Sequence, residues 1–244
     1  MTAPSESGPG TPSERPSGTP SRVPPGVPPG VPPGVPRRPK IAGVILAGGR
    51  SRRMGGGDKC LQPLRGEYLI SRVIARAHSQ VDALAINANG DPARFADFRL
   101  PVVADSVADF AGPLAGVLAG LDWAAEAAPD SVWLATFACD APFFPHNLVI
   151  RLWAEAEEAG ADLACARSRG RDHPVFGLWP LALRDALHRA LVEDDIRKVD
   201  VFTARYELVQ VEFPDLASPW GQVDPFFNAN RPEDLAEAER ILSP

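Results

Sequence analysis

One stretch constrains this chain more than any other: IAGVILAGGRSRRMGGGDK, from Ile41 to Lys59. It opens on Ile41-Ala42-Gly43-Val44-Ile45-Leu46, a short apolar run without alternation, which predicts a strand buried on both faces. The run breaks into Ala47-Gly48-Gly49, where missing side chains let a phosphate approach the backbone. Arg50, Arg52 and Arg53 follow, then Gly55, Gly56 and Gly57, and finally Asp58-Lys59. A buried strand feeding a glycine loop studded with cations suits a polyphosphate: backbone N–H groups form the cradle and the basic side chains supply positive charge. A bland strand-to-helix turn has no use for three clustered arginines.

Two familiar phosphate loops do not fit. A P-loop needs G-x-x-x-x-G-K-[ST], but here the lysine follows Asp58 and precedes Cys60. A dinucleotide fingerprint needs G-x-G-x-x-G, and from Gly48 this loop reads G-G-R-S-R-R. The formal charge of −6 argues against a general nucleic-acid binder, so the arginine cluster is local. The three cysteines are irregularly spaced and form no disulfide framework, which fits a reducing compartment. Cys60 beside Lys59 reads as a small packing residue or as an activated thiol. There is no apolar leader and no run of about 18 apolar residues, so a cytoplasmic protein is expected.

Residues 1–39 are a different kind of polymer. Val-Pro-Pro-Gly recurs from Val23 with a period of four, unlike collagen. Such a tail buries too little apolar surface to order itself, so a disordered spacer or a proline-rich docking segment is expected, with the folded domain in residues 40–244. Past the glycine loop, apolar residues at Leu69, Ile70, Val73, Ile74 and Ala77 predict a helix over 61–78. Strands are expected at 83–86, 101–104, 131–139, 161–166, 175–179 and 206–213. Helices are expected at 114–123, 147–159, 181–192 and 197–202, and again after Pro232. Residues 168–174 read as a charged loop. The pattern predicts an α/β fold, a three-layer Rossmann-like arrangement around a mainly parallel central sheet. Polar residues recur where strands run out, at the glycine loop, Asn87, Asp105 and Asp140, and should meet along one edge, where open α/β sheets bind ligands. By position alone, Asn87 is a ligand or a turn asparagine.

The chemistry follows from that edge. Asp140 ends the most apolar strand and is the leading candidate to hold Mg²⁺, with turn capping as the alternative. The histidines are scattered and no cysteines have zinc-ligand spacing. No Ser–His or Cys–His arrangement is evident, and none is required if the acceptor is itself a phosphate. The expected reaction is in-line attack by an acceptor phosphate on the α-phosphorus of a nucleotide. Lys59 and the loop arginines, Arg53 among them, would neutralise the departing pyrophosphate.

The loop L-A-G-G-x-S-x-R-M-G followed by D-K resembles the signature of the small nucleotidyltransferases. Together with D-S-x-A-D-x-x-G-P-L-A-G from Asp105, C-D-x-P-F from Cys139, R-D-H-P from Arg171 and F-N-x-N-x-P-E-D-L from Phe227, the chain resembles the molybdenum cofactor guanylyltransferases over about residues 41–242. The resemblance implies transfer of GMP from GTP to the terminal phosphate of molybdopterin. It implies a GTP site at Leu46, Ala47, Gly48, Gly49, Lys59, Asn87 and Asp105, and Asp140 on both Mg²⁺ and nucleotide. Arg171, Asn228 and Asn230 would lie towards the pterin. Asp105 would contact either base or ribose. Implied partners are GTP, molybdopterin and molybdoenzyme delivery chaperones, with no nucleic acid and no membrane, and the chain is expected to be a monomer. Cytidylyl transfer to the same pterin, another phosphorylated acceptor, or a non-catalytic GTP-binding regulator are the alternatives. Two features depart from the family pattern: the proline-rich tail, and Arg231, which either touches the acceptor phosphate or is solvated.

Overall fold

The computed structural model describes residues 38–48, 58–107 and 112–243. Strand β1 (Ile41–Leu46) lies inside the molecule. Ile41 and Ile45 point into one apolar cluster, Ala42 and Val44 into another, so the strand is apolar throughout because both its faces are covered. After a short 3-10 turn, β2 (Pro63–Leu64) and β3 (Glu67–Tyr68) form a small hairpin around Arg65 and Gly66, both at positive φ. Helix α1 (Leu69–His78) starts there rather than at residue 61, because Pro63 and the left-handed turn take the chain out of helical register. All five apolar residues that predicted the helix lie on it.

The chain continues through β4 (Ala83–Asn87), a 3-10 segment (Pro92–Phe98), β5 (Val102–Val103), α2 (Pro113–Ala127), β6 (Trp133–Ala138) and α3 (Leu148–Ala159). Strands β7 (Leu163–Ser168) and β8 (Arg171–Pro180) follow, then α4 (Arg184–Val192), α5 (Val199–Thr203) and β9 (Leu208–Glu212). A hairpin of β10 (Leu216–Ser218) and β11 (Gly221–Val223) precedes α6 (Pro232–Ile241). The expected charged loop at 168–174 is instead a tight turn at Arg169-Gly170 and the opening of β8. Both turn residues have positive φ, the geometry that joins twisted antiparallel strands in two residues.

Seven strands form the central sheet in the order β5-β4-β1-β6-β8-β7-β9. Every neighbouring pair is parallel except the two that involve β8. Residues of α1 and α3 pack on one face, and residues of α2, α4 and α5 on the other, so the fold has three layers. A third cluster, with Leu64, Leu69, Phe143, Val223 and Ala238, seats α6 beside the β2–β3 hairpin. Gln80, buried after α1, links the layers: its amide donates to Arg76 O and Pro145 O, and its oxygen accepts from Val149 N in the first turn of α3.

At the front of the described chain, Arg38 donates to Gln80 O at 3.2 Å and pairs with Asp82 at 2.9 Å. Among the described residues no helix is long and apolar enough to cross a membrane.

Candidate active site

Parallel pairing aligns the carboxyl ends of β5, β4, β1 and β6. Leu46 is opposite Asn87 on one side and Ala138 on the other, and Asn87 is opposite Val103. Asn87 and Ala138 are therefore two strand spacings apart, about 10 Å. The backbone carries the order one residue further: Ala47 N donates to Asn87 O and Ala88 N to Val103 O. Asp105 and Asp140 each stand two residues beyond a strand end, on this same edge. Because β8 runs the other way, its first residue, the exposed Arg171, also comes to this edge, while β7 brings Ser168 there.

Two polar groups form along the edge. In the first, Lys59 Nζ lies 2.5 Å from Asp140 Oδ2 and also donates to Asn230 Oδ1. The lysine and aspartate side chains are only 15% and 20% exposed. The segment after β11 crosses this point: Ala229 N donates to Asp140 O at 2.8 Å, and the Asp234 carboxylate accepts from Asn230 N and Arg231 N. Asn228, on the same segment, has a buried side-chain oxygen without a partner among the described residues. In the second group, Asn87 Nδ2 donates to Asp105 Oδ1 at 2.9 Å and Asn89 Nδ2 to Asp105 Oδ2 at 2.7 Å. Asp105 N donates back to Asn89 Oδ1 at 2.9 Å. Two amides thus fix the plane of one carboxylate, which keeps further lone pairs for a ligand. Gly116 of α2 makes room for this arrangement, since a Cβ there would come within 2.4 Å of Asn87 Oδ1.

The structure brings the candidate residues Lys59, Asn87, Asp105, Asp140, Asn228 and Asn230 to one edge, with Leu46, Ala47 and Gly48 between the two polar groups. Gly49 and Arg53 lie outside the described residues. Asn230 stands directly on Lys59, accepting from its ammonium. Asn89 was missed, because it follows the strand and nothing in its type separates it from a turn residue. A trio with two buried members, Ser168 and His173, was missed too: Ser168 Oγ donates to the half-buried Asp224 Oδ1 at 2.8 Å and lies 2.8 Å from His173 Nε2. Asp224 also accepts from Phe226 N, so the trio ties the β7–β8 hairpin to the segment bearing Asn228 and Asn230. Its serine donates to a carboxylate, which is not the polarity of an activated nucleophile. Burial lowers the His173 pKa below 6.5, opposed by Asp224, so the imidazole is held neutral.

The cysteines are free and contribute packing. Cys60 is buried, and Cys139 is held well above the ordinary thiol range by its hydrogen bond to Cys60 and by burial. Burial likewise pushes Cys165 up to about 12. An activated Cys60 is not what this packing supports.

Among the described residues no cluster of three or more His, Cys, Asp or Glu side chains could hold a metal by itself. Asp140 nevertheless fits a hard cation that arrives with phosphate. Lys59 occupies Oδ2, Oδ1 has no partner among the described residues, and Mg²⁺ commonly takes one or two carboxylates with the rest of its shell from water and phosphate.

Comparison with known proteins agrees with this geometry. The MobA-like NTP transferase domain matches residues 43–207. A molybdenum cofactor guanylyltransferase of Rhodopseudomonas palustris (strain BisB5) is 57% identical over 203 residues, covering 83% of this chain and 94% of that protein. One from Nitrobacter hamburgensis is 54% identical over 205 residues, covering 84% and 96%. Among solved structures, molybdopterin-guanine dinucleotide biosynthesis protein A from Archaeoglobus fulgidus superposes with a TM-score of 0.62 at 24% identity, covering 82% of this chain and 97% of that one. The 4-diphosphocytidyl-2C-methyl-D-erythritol synthase of Anaerococcus prevotii reaches 0.63 at 10% identity, covering 84% and 96%, so this fold is common to enzymes named for different bases. The sheet edge, the Lys59–Asp140 pair and the extent of these matches agree: the chain belongs to the family of MobA-like NTP transferases.

Proposed function

We propose that the protein is a guanylyltransferase that moves GMP from GTP to the terminal phosphate of molybdopterin and releases pyrophosphate. The observation that carries this reading is Lys59 held between Asp140 and Asn230 at the sheet edge, beside the clamped Asp105. It is joined to 57% identity with a relative named for that activity. Lys59 is stored against a carboxylate and an amide. An arriving triphosphate competes for it, and the lysine then neutralises the β- and γ-phosphates as they leave. Asp105, fixed in its plane by two asparagines, accepts from the nucleoside. Asn228, with its buried free oxygen, and Arg171 face the acceptor. The acceptor phosphate oxygen forms the new bond to the α-phosphorus as the bond to the pyrophosphate oxygen breaks. No protein nucleophile is needed, so catalysis is positioning and charge neutralisation. Mg²⁺ held by Asp140 would supply further neutralisation of charge on the phosphates.

The test is pyrophosphate release and dinucleotide formation with molybdopterin, comparing GTP with CTP. GTP is expected to be at least about tenfold better, because a site that hydrogen-bonds one base leaves polar groups unpaired against another. Comparable turnover with CTP would move the protein to the cytidylyl reading. Chelating divalent cations should stop turnover and added Mg²⁺ should restore it; activity that survives chelation would remove the metal from the scheme.

A further inference from the structure

The two polar groups of the site are joined by a residue that contacts neither reacting end. Arg94 lies in the 3-10 segment after β4, whose start is fixed by Asp91 accepting from Ala93 N. Its Nε is 2.7 Å from Asp58 Oδ2, and Asp58 directly precedes Lys59. Its Nη2 donates at 2.6 Å to the backbone oxygen of Asn89, the residue whose side chain clamps Asp105. The guanidinium lies over the ring of Phe95, 4.9 Å from its centroid, and Phe95 is fully buried. Gly90, at φ +88°, leaves the space: a Cβ there would come within 3.0 Å of Arg94 Nη1. Arg94 and Asp58 are 27% and 26% exposed, so the pair is shielded more than most ion pairs on this surface.

We propose that Arg94 is a positioning residue that sets the distance between the phosphate end of the site, Asp58-Lys59, and the nucleoside end, Asn89–Asp105. The inference rests on the nucleotide-binding reading of that edge. The path is continuous: Asp140, Lys59, Asp58, Arg94, Asn89, Asp105. A planar, forked guanidinium on an apolar ring has few conformations; Nη2 donates to the Asn89 carbonyl while Nε lies in ion-pair contact with the Asp58 carboxylate, without a hydrogen bond of its own among the described residues. A lysine carries the charge but not the fork, so it satisfies one side at a time. A triphosphate bound at both ends reads the separation between them, and small misplacement is costly to the transfer step.

The test uses Arg94→Ala and Arg94→Lys in the full chain, with whichever nucleoside triphosphate the wild type turns over, so that base choice is judged separately. Both variants are expected to lose at least about tenfold in kcat/KM while melting within a few degrees of wild type. In a Lys59→Ala background, and again in an Asp105→Ala background, adding Arg94→Ala should cost less than about threefold. Full multiplicative losses in either background would overturn the proposal, as would unchanged specific activity in a less stable variant. A second readout needs no turnover. Amide exchange in Arg94→Lys should speed up together at residues 59–62 and 88–91 and stay unchanged in 133–138; acceleration at one of the two segments alone, or at neither, overturns the proposal.

Discussion

Asp140 stands where the most buried stretch of β6 gives way to a turn, and its backbone oxygen and side chain are both engaged, by Ala229 N and by Lys59. Asp140→Asn keeps that shape and removes the charge. Turnover is expected to fall at least about a hundredfold, equivalent to roughly 2.7 kcal/mol of transition-state stabilisation, with GTP affinity falling less. Pyrophosphate release beside a melting curve decides it: a folded variant with near wild-type turnover would take Asp140 out of the mechanism. His173 yields a prediction about stability instead. It faces Asp224, Arg171, Asp172 and Glu212, and burial dominates, holding its pKa below 6.5. The unfolded chain therefore binds a proton that the folded chain refuses. This penalty is absent above about pH 6.5, grows as pH falls towards the folded value, and levels off below it. Thermal melts at pH 7.5 and 5.5 should show a smaller acid loss for His173→Gln than for wild type; equal losses would clear His173.

At the scale of elements, α2 sits unusually close to the sheet. A Cβ on Gly116 would meet Asn87 Oδ1 at 2.4 Å, and one on Gly120 would meet Val44 Cγ1 at 2.6 Å. Asn87 is only 2% exposed and has nowhere to retreat. Gly116→Ala is therefore expected to cost about 1–3 kcal/mol through overpacking, and to weaken GTP binding by disturbing the clamp on Asp105. Urea midpoints and a GTP titration test both parts; a variant with wild-type affinity would separate the packing from the clamp. The sequence made much of this level readable. The apolar runs of β1, β4 and β6 marked the buried strands, and the polar residue at or just beyond each strand end marked the edge. What it hid depended on contacts distant along the chain. Arg169 takes a positive φ although it is not glycine, so the β7–β8 turn passed for a loop. The β10–β11 hairpin has three-residue strands, too short for a period to show. Asn89 and Arg94 matter through partners on other segments, and no local pattern announces that.

For the molecule as a whole, the described fold begins with Arg38, tied to Gln80 and Asp82. We propose that residues 1–37 are dispensable for folding and transfer. A chain starting at Arg38 should keep its cooperative melt and its turnover; loss of either would mean that the leading segment packs on the domain or assists the chemistry. The crossing of the segment after β11 over the end of β6 has a consequence in time rather than in space. Synthesis makes Lys59 and Asp140 well before Asn230 and the Ala229 amide that hold them. Until the segment after β11 has folded back over β6, Lys59 lacks one of its two partners and Asp140 the amide that fixes its backbone oxygen.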